Sequence, residues 1–356
     1  MKPLLTHLFA AALGILAVVL WPSGTADSDA ATADGRMPGR NESRPGIVLR
    51  PSVRPGGNQP TIDSELSKPV TGKELEPWLE SKKGDSRSFA EALVIAGLLT
   101  NDPDLIRQGI EADPANRHLL FIGATFSAFS GEERLAMSKR LLAADPDNAL
   151  AAFISASHLL DAGQSDAAIE ILRGTTDRYR MDDFRIATQL GTEDAYIAAG
   201  LSPDAAKIRS AFDFKLGYLS DLRSLANSLK DMEGSRSPEE ASELRSLTAS
   251  MGQRLADQSR SGTMIDQFVG MALEEATLSG LSDEAPSLYE GLTVSQARES
   301  IVAERQELRQ VIENFGNAQD ILSNDPDLMS RYIDHLRLRG ELEAAKWLVG
   351  ETESSR

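Results

Sequence analysis

Chemistry needs side chains of particular types at particular spacings, and the histidines are the first place to look. The chain holds His7, His118, His158 and His335. An imidazole becomes a metal ligand or an activated base when a second ligand or a carboxylate stands at a helical spacing from it. None of the four has a second histidine at such a spacing, and no His-Glu-x-x-His segment occurs. Carboxylates come in adjacent pairs: Glu132-Glu133, Asp182-Asp183, Glu239-Glu240 and Glu274-Glu275. Paired acid–base work needs two carboxyls converging across a cleft, which neighbours on one backbone do not do. Glu274 falls eight residues after Asp266, close to one helical face, and reads there as part of a solvated face.

The remaining routes to catalysis close in the same way. Cysteine is absent, which removes disulfides, thiolate nucleophiles and thiolate metal sites. The glycines form no phosphate loop, since no Gly-Lys-Ser or Gly-Lys-Thr follows them. Ser127 and Ser130 in "FSAFSGEE" do not follow a strand. The sequence therefore assigns no catalytic residue, no metal site and no cofactor. Arg173, Arg178, Arg180 and Arg185 gather loosely, either as a mixed-charge loop or as a site for a small anion or acidic peptide.

The elements that would position any of these residues are helices. Only 5% of the 356 residues are aromatic, which favours helices packed through small and aliphatic side chains over a sheet. Leu75, Trp78 and Leu79 share a helical face, as do Phe89, Ala92, Leu93, Ala96 and Leu99. Asp-Pro turns punctuate the chain: "NDPDL" at 101–105, "ADPAN" at 112–116, "ADPDN" at 144–148 and "NDPDL" at 324–328. In the first of them, Asp102 can cap a helix whose first position is Pro103. The recurrence reads as one device used repeatedly. Between the turns the spacing predicts a helix from about His118 to Phe129 and a second ending near Ala144. Another pair follows, from about Ala149 to Ala162 and then through Leu172. Helix pairs with one apolar side cannot bury it alone, and stacking on the next pair is the physical solution.

Gly163 with Ala168, Gly340 with Ala345 and Gly131 with Ala136 repeat one spacing of turn glycine and small residue, while Ala156 takes the small position between paired helices. On these residues the chain resembles the tetratricopeptide repeats, over Ala112 to Leu172 and more weakly over Leu322 to Leu348. Ala152 and Leu159 stand where that family carries aromatics. The resemblance implies an all-α, right-handed α-α superhelix whose first helices line a concave binding side. Ser155 and His158 then become contacts for a protein or peptide partner, together with Arg173 and Arg178.

Net charge and the N-terminus bear on partner and place. With 54 acidic and 37 basic residues the charge is −17, which argues against a nucleic-acid backbone as partner. Leu8 to Trp21 is an unbroken apolar run preceded by Lys2 and followed by Asp27 and Asp29. It reads as a signal peptide or a single membrane anchor over residues 1–21, with the body outside the cytoplasm. The expected place is the inner membrane, or the periplasm after cleavage. Residues 22–70 read as a disordered Pro/Gly/Ser-rich tether, with "IVLRPSV" at 47–53 its one apolar segment. A helical body over 71–230 and a C-terminal helical region over 237–350 follow, divided at Met232 to Arg236. The function expected is a non-catalytic binding or scaffold protein. An all-helical hydrolytic or lytic enzyme with an unidentified carboxylate and an accessory subunit of a membrane-associated complex are the alternatives.

Overall fold

The computed structural model describes residues 62–175, 180–213, 217–257, 262–289 and 291–354. Among them are sixteen helices and no strand, only two isolated bridges. The fold is all-α. In chain order the helices are α1 (Ile62–Leu66), α2 (Gly72–Lys82), α3 (Ser86–Thr100), α4 (Pro103–Ala112), α5 (Arg117–Thr125), α6 (Gly131–Ala144), α7 (Ala149–Asp161) and α8 (Ser165–Arg173). The second half contains α9 (Arg185–Ala198), α10 (Pro203–Phe212), α11 (Tyr218–Glu233), α12 (Pro238–Ala256), α13 (Met264–Leu278), α14 (Val294–Asn324), α15 (Pro326–Arg339) and α16 (Glu341–Ser354).

The Asp-Pro turns are two devices, not one. In the two "NDPDL" segments Asp102 and Asp325 are N-caps, accepting from the Leu105 and Leu328 amides at 3.4 and 3.0 Å, and the proline opens the helix. In "ADPAN" and "ADPDN" the aspartate instead ends the preceding helix, and Asn116 or Asn148 caps the next one. There the asparagine amide donates back to the aspartate three residues earlier, at 3.1 Å for Asp113 and 3.2 Å for Asp145. The turn-glycine pattern also divides. Gly163 and Gly340 have φ of 72° and 81°, the left-handed region that a side chain disfavours. Gly131 is the first residue of α6, where Ser130 and Glu133 form a capping box, and Ala136 is exposed while Ala168 and Ala345 are fully buried.

Three hairpins, α3/α4, α5/α6 and α7/α8, pack in sequence, and then the chain turns back on itself. Helix α9 returns to α2 and α3, while α11 lies on α7 and carries α12 and α13 with it. This explains why α7 is buried continuously from Ala149 to Leu159. Its sequence, ALAAFISASHL, offers no charged stripe to water because there is no open side. One core joins α3 to α8 with α11, α12 and α13. It runs across the break at 232–236 through Leu225 and Leu229 on one side and Leu244 and Met251 on the other. A second core gathers α1, α9, α10 and α13 to α16, so α13 contributes Val269 and Leu273 to one and Phe268 and Met271 to the other.

Two expectations about the N-terminal part change. Leu66 is buried in the second core, and Glu65 binds Ser202 at the start of α10, so the end of the 22–70 segment belongs to the folded body. Among the described residues no helix is long and apolar enough to cross a membrane. The longest, α14, has 31 residues but intersperses glutamates and arginines along its length. The expected anchor at Leu8 to Trp21 and the tether up to residue 61 lie outside the described residues. The expected single-pass topology, membrane partner and inner-membrane placement are corrected by the described helices, none of which can cross a membrane.

Candidate functional site

Ser155 and His158 sit in the interior, 0% and 3% exposed, because α11 covers the side of α7 that was expected to face a partner. Asp221 of α11 is the centre of this contact. Its Oδ1 accepts from Arg134 Nη1 at 3.1 Å, its carbonyl accepts from Ser157 Oγ at 2.8 Å, and its Oδ2 lies 3.7 Å from His158 Nε2. The last distance is too long for a hydrogen bond. The assembly ties α6, α7 and α11 together.

The four arginines scatter. Arg178 lies outside the described residues. Arg180 pairs with Asp145 and Asp182, and Arg185 is only 6% exposed. Arg173, in the last turn of α8, donates from Nε and Nη2 to the two carboxylate oxygens of Glu243 on α12, at 2.6 and 2.9 Å. That fork-to-fork geometry is the strongest an ion pair can adopt. Hydrogen bonding to Arg173 holds the Glu243 carboxyl below its ordinary range. The pair floors a groove of about 270 Å³ lined also by Asp166, Ile169, Glu170, Arg236, Glu240 and Leu244. Four carboxylates against two guanidiniums leave its wall acidic, and Ile169 and Leu244 give it an apolar strip. That excess opposes the binding of an anion at Arg173.

A denser set of charges, not foreseen from the sequence, lies where the two cores meet. The Tyr218 hydroxyl donates to Asp266 Oδ1 at 2.6 Å, and Asp266 Oδ2 accepts from the Thr263 amide at 2.8 Å at the start of α13. Glu341 of α16 accepts from the Met264 amide at 2.8 Å, so two carboxylates meet the positive end of α13. Asp183, just before α9, and Arg185, its first residue, join them. Burial pushes the Asp183 and Glu341 carboxyls up, and the Arg185 guanidinium counters this in both. The α9 entry is itself strained: Phe184 has φ 53° and ψ 19°, a left-handed conformation costly for a bulky residue. Its ring is held against His118 and Phe121, with centroids 5.9 and 5.5 Å away. Burial lowers the His118 imidazole to about 4, so it is neutral at physiological pH.

Asp266 and Glu274 also depart from the solvated face expected of them, being 1% and 8% exposed. Gly252 and Gly270 permit this by letting α12 and α13 touch backbone to backbone. A β-carbon on Gly270 would fall 2.6 Å from the Gly252 carbonyl oxygen. Burial raises the Glu274 carboxyl to about 6, with the Tyr289 hydroxyl opposing and the Glu304 and Asp257 charges adding to the rise. A second groove of about 220 Å³ is lined nearby by Gln267, Met271, Glu304, Glu307, Leu308 and Lys346, but not by Glu274. Among the described residues no three His, Asp or Glu side chains are placed to hold a metal ion. Compared with protein-family models, with curated proteins and with solved structures, the chain matches none.

Proposed function

We propose that this chain is a non-catalytic binding protein built from tetratricopeptide-like helix pairs, with the groove between α8 and α12 as its contact surface. The observation that carries this reading is the contrast between that groove and the buried charges. The groove is open, acidic on balance and striped with Ile169 and Leu244. The partner that suits it is an extended peptide segment with Lys or Arg between apolar residues. The hairpins over 71–230 form the body of the binder, and the region over 237–350 supplies α12, the opposite wall.

The inner side, which such repeats ordinarily use, is filled by α11, so binding has moved to an outer face. Calorimetric titration with a 12-residue Lys/Leu peptide and its Glu/Leu counterpart tests the proposal. Saturable binding of the first alone, abolished by E240K/E243K, is expected. Equal affinity for both peptides, or affinity for neither, overturns it.

One observation favours a second reading, a helical hydrolase: Glu274 is a buried carboxyl near Tyr289, and burial raises it to about 6. Hydrolysis lost in E274Q would establish it.

A further inference from the structure

The stretch Ala187, Leu190, Asp194 and Ile197 lies along one side of α9 at helical spacing, and all four residues are exposed. Leu190 is 52% and Ile197 43% exposed, among the most accessible large apolar side chains of the described residues. Helix α9 packs on α2, α3 and α10, and Asp194 bonds Lys82 and Trp78 of α2, while Leu190 and Ile197 stay more than a third exposed.

The chain enters the described fold beside this face. Lys68 Nζ donates to the Ala199 carbonyl at 3.3 Å, and Glu65 accepts from the Ser202 amide at 3.0 Å. Both contacts lie at the α9–α10 turn, two to five residues beyond Ile197. Residues 54–61 span up to about 28 Å when extended, whereas Leu190 and Ile197 are about 10 Å apart along the helix axis. Sequence immediately upstream of Ile62 is therefore within reach of the whole stripe.

That upstream sequence has the matching chemistry. Residues 44–57, RPGIVLRPSVRPGG, hold Ile47, Val48, Leu49 and Val53 among Arg44, Arg50 and Arg54, with no acidic residue. Set against a chain of −17, its +3 leaves −20 on the remainder. An apolar, cationic segment tethered to an acidic body meets an apolar stripe. The Asp194 carboxylate on it already binds Lys82 and Trp78 of α2, so the match rests on Leu190 and Ile197 and on the charge of the body as a whole. We propose that Ile47–Val53 docks in cis along Leu190 and Ile197 of α9.

The absence of cysteine makes the test direct, because paired spin labels can be placed without removing any native thiol. Labels at positions 49 and 187 of the full-length chain are expected to give one narrow, short-distance population. The triple substitution I47D/V48D/V53D should broaden it, and hydrogen exchange of 187–198 should quicken in the same variant. A broad distribution in the parent, unchanged by the substitution, overturns the proposal. So does a short distance seen only in mixtures of singly labelled chains, which would assign the stripe to a second copy.

Discussion

Tyr218 of α11 donates to Asp266 of α13 across 2.6 Å in the interior, and both residues are almost fully buried. Burial, and after it the Asp266 carboxylate, push the phenol well above its ordinary range, so the tyrosine is the donor at neutral pH. Y218F keeps the ring and removes the donor. A buried carboxylate deprived of a partner costs about 1–3 kcal/mol, and the urea midpoint should fall accordingly. An unchanged midpoint would show that the bond does not stabilise the meeting of the two cores.

Glu274 makes stability depend on pH with a definite sign. Its folded-state carboxyl, raised to about 6 from 4.5, favours the protonated form. The stabilisation is complete below about 4.5 and is lost as pH rises through 6. A shift of this size corresponds to about 2 kcal/mol. His118 has the opposite sign, because its lowered value gives stability that is lost as pH falls through about 4. Comparing E274Q with the parent cancels the histidine. The variant should gain about 2 kcal/mol relative to the parent between pH 4.5 and 7.5. A difference that does not vary with pH would refute the assignment.

Ala156 is fully buried and Ala136 exposed, although both were read as small contact positions. A156F should lower stability by about 1–3 kcal/mol through overpacking. A136F should stay within about 0.5 kcal/mol of the parent. Thermal melts of the two variants give the comparison, and equal losses would restore Ala136 to the helix contact.

How far the sequence reveals this fold is clearest at α7. Periodicity and the caps locate its ends to within a residue, because Asn148 and Gly163 act locally. What covers the helix is not local. The apolar, uncharged run from Ala149 to Ser157 does carry the signal of a helix enclosed on all sides. Repeat spacing points the other way and places Ser155 and His158 on an open concave face, whereas both are buried. The carboxylates of α13 mislead for a related reason. Asp266 and Glu274 look solvated until Gly252 and Gly270 bring two backbones together, and only the pairing of α12 with α13 shows why those glycines matter. Arg173 stands out among its neighbours in sequence, but its partner Glu243 is 70 residues away.

His158 should then act on folding, not on a partner. H158A removes a buried ring beside Asp221 while Arg134 remains to pair the carboxylate. A loss of about 2–3 kcal/mol is expected from the vacated volume. Affinity for the Lys/Leu peptide should be unchanged below the melting range. Weakened binding by a fully folded variant would return His158 to the contact surface.

Arg173 and Glu243 give the sharpest test of the groove, because their effects on stability and on binding separate. Both side chains are more than a third exposed, and solvent screens such a pair so that it adds little to stability. R173E therefore should barely move the melting midpoint, yet it removes a guanidinium from a wall that already holds four carboxylates. Affinity for the cationic Lys/Leu peptide should rise, and the rise should shrink with added salt as screening shortens the reach of these charges. R173E/E243R restores the original charge balance with the positions exchanged, so its affinity should return close to that of the parent. If the single and double variants bind equally, the peptide does not read the charge of this groove, and the contact surface must lie elsewhere on the molecule.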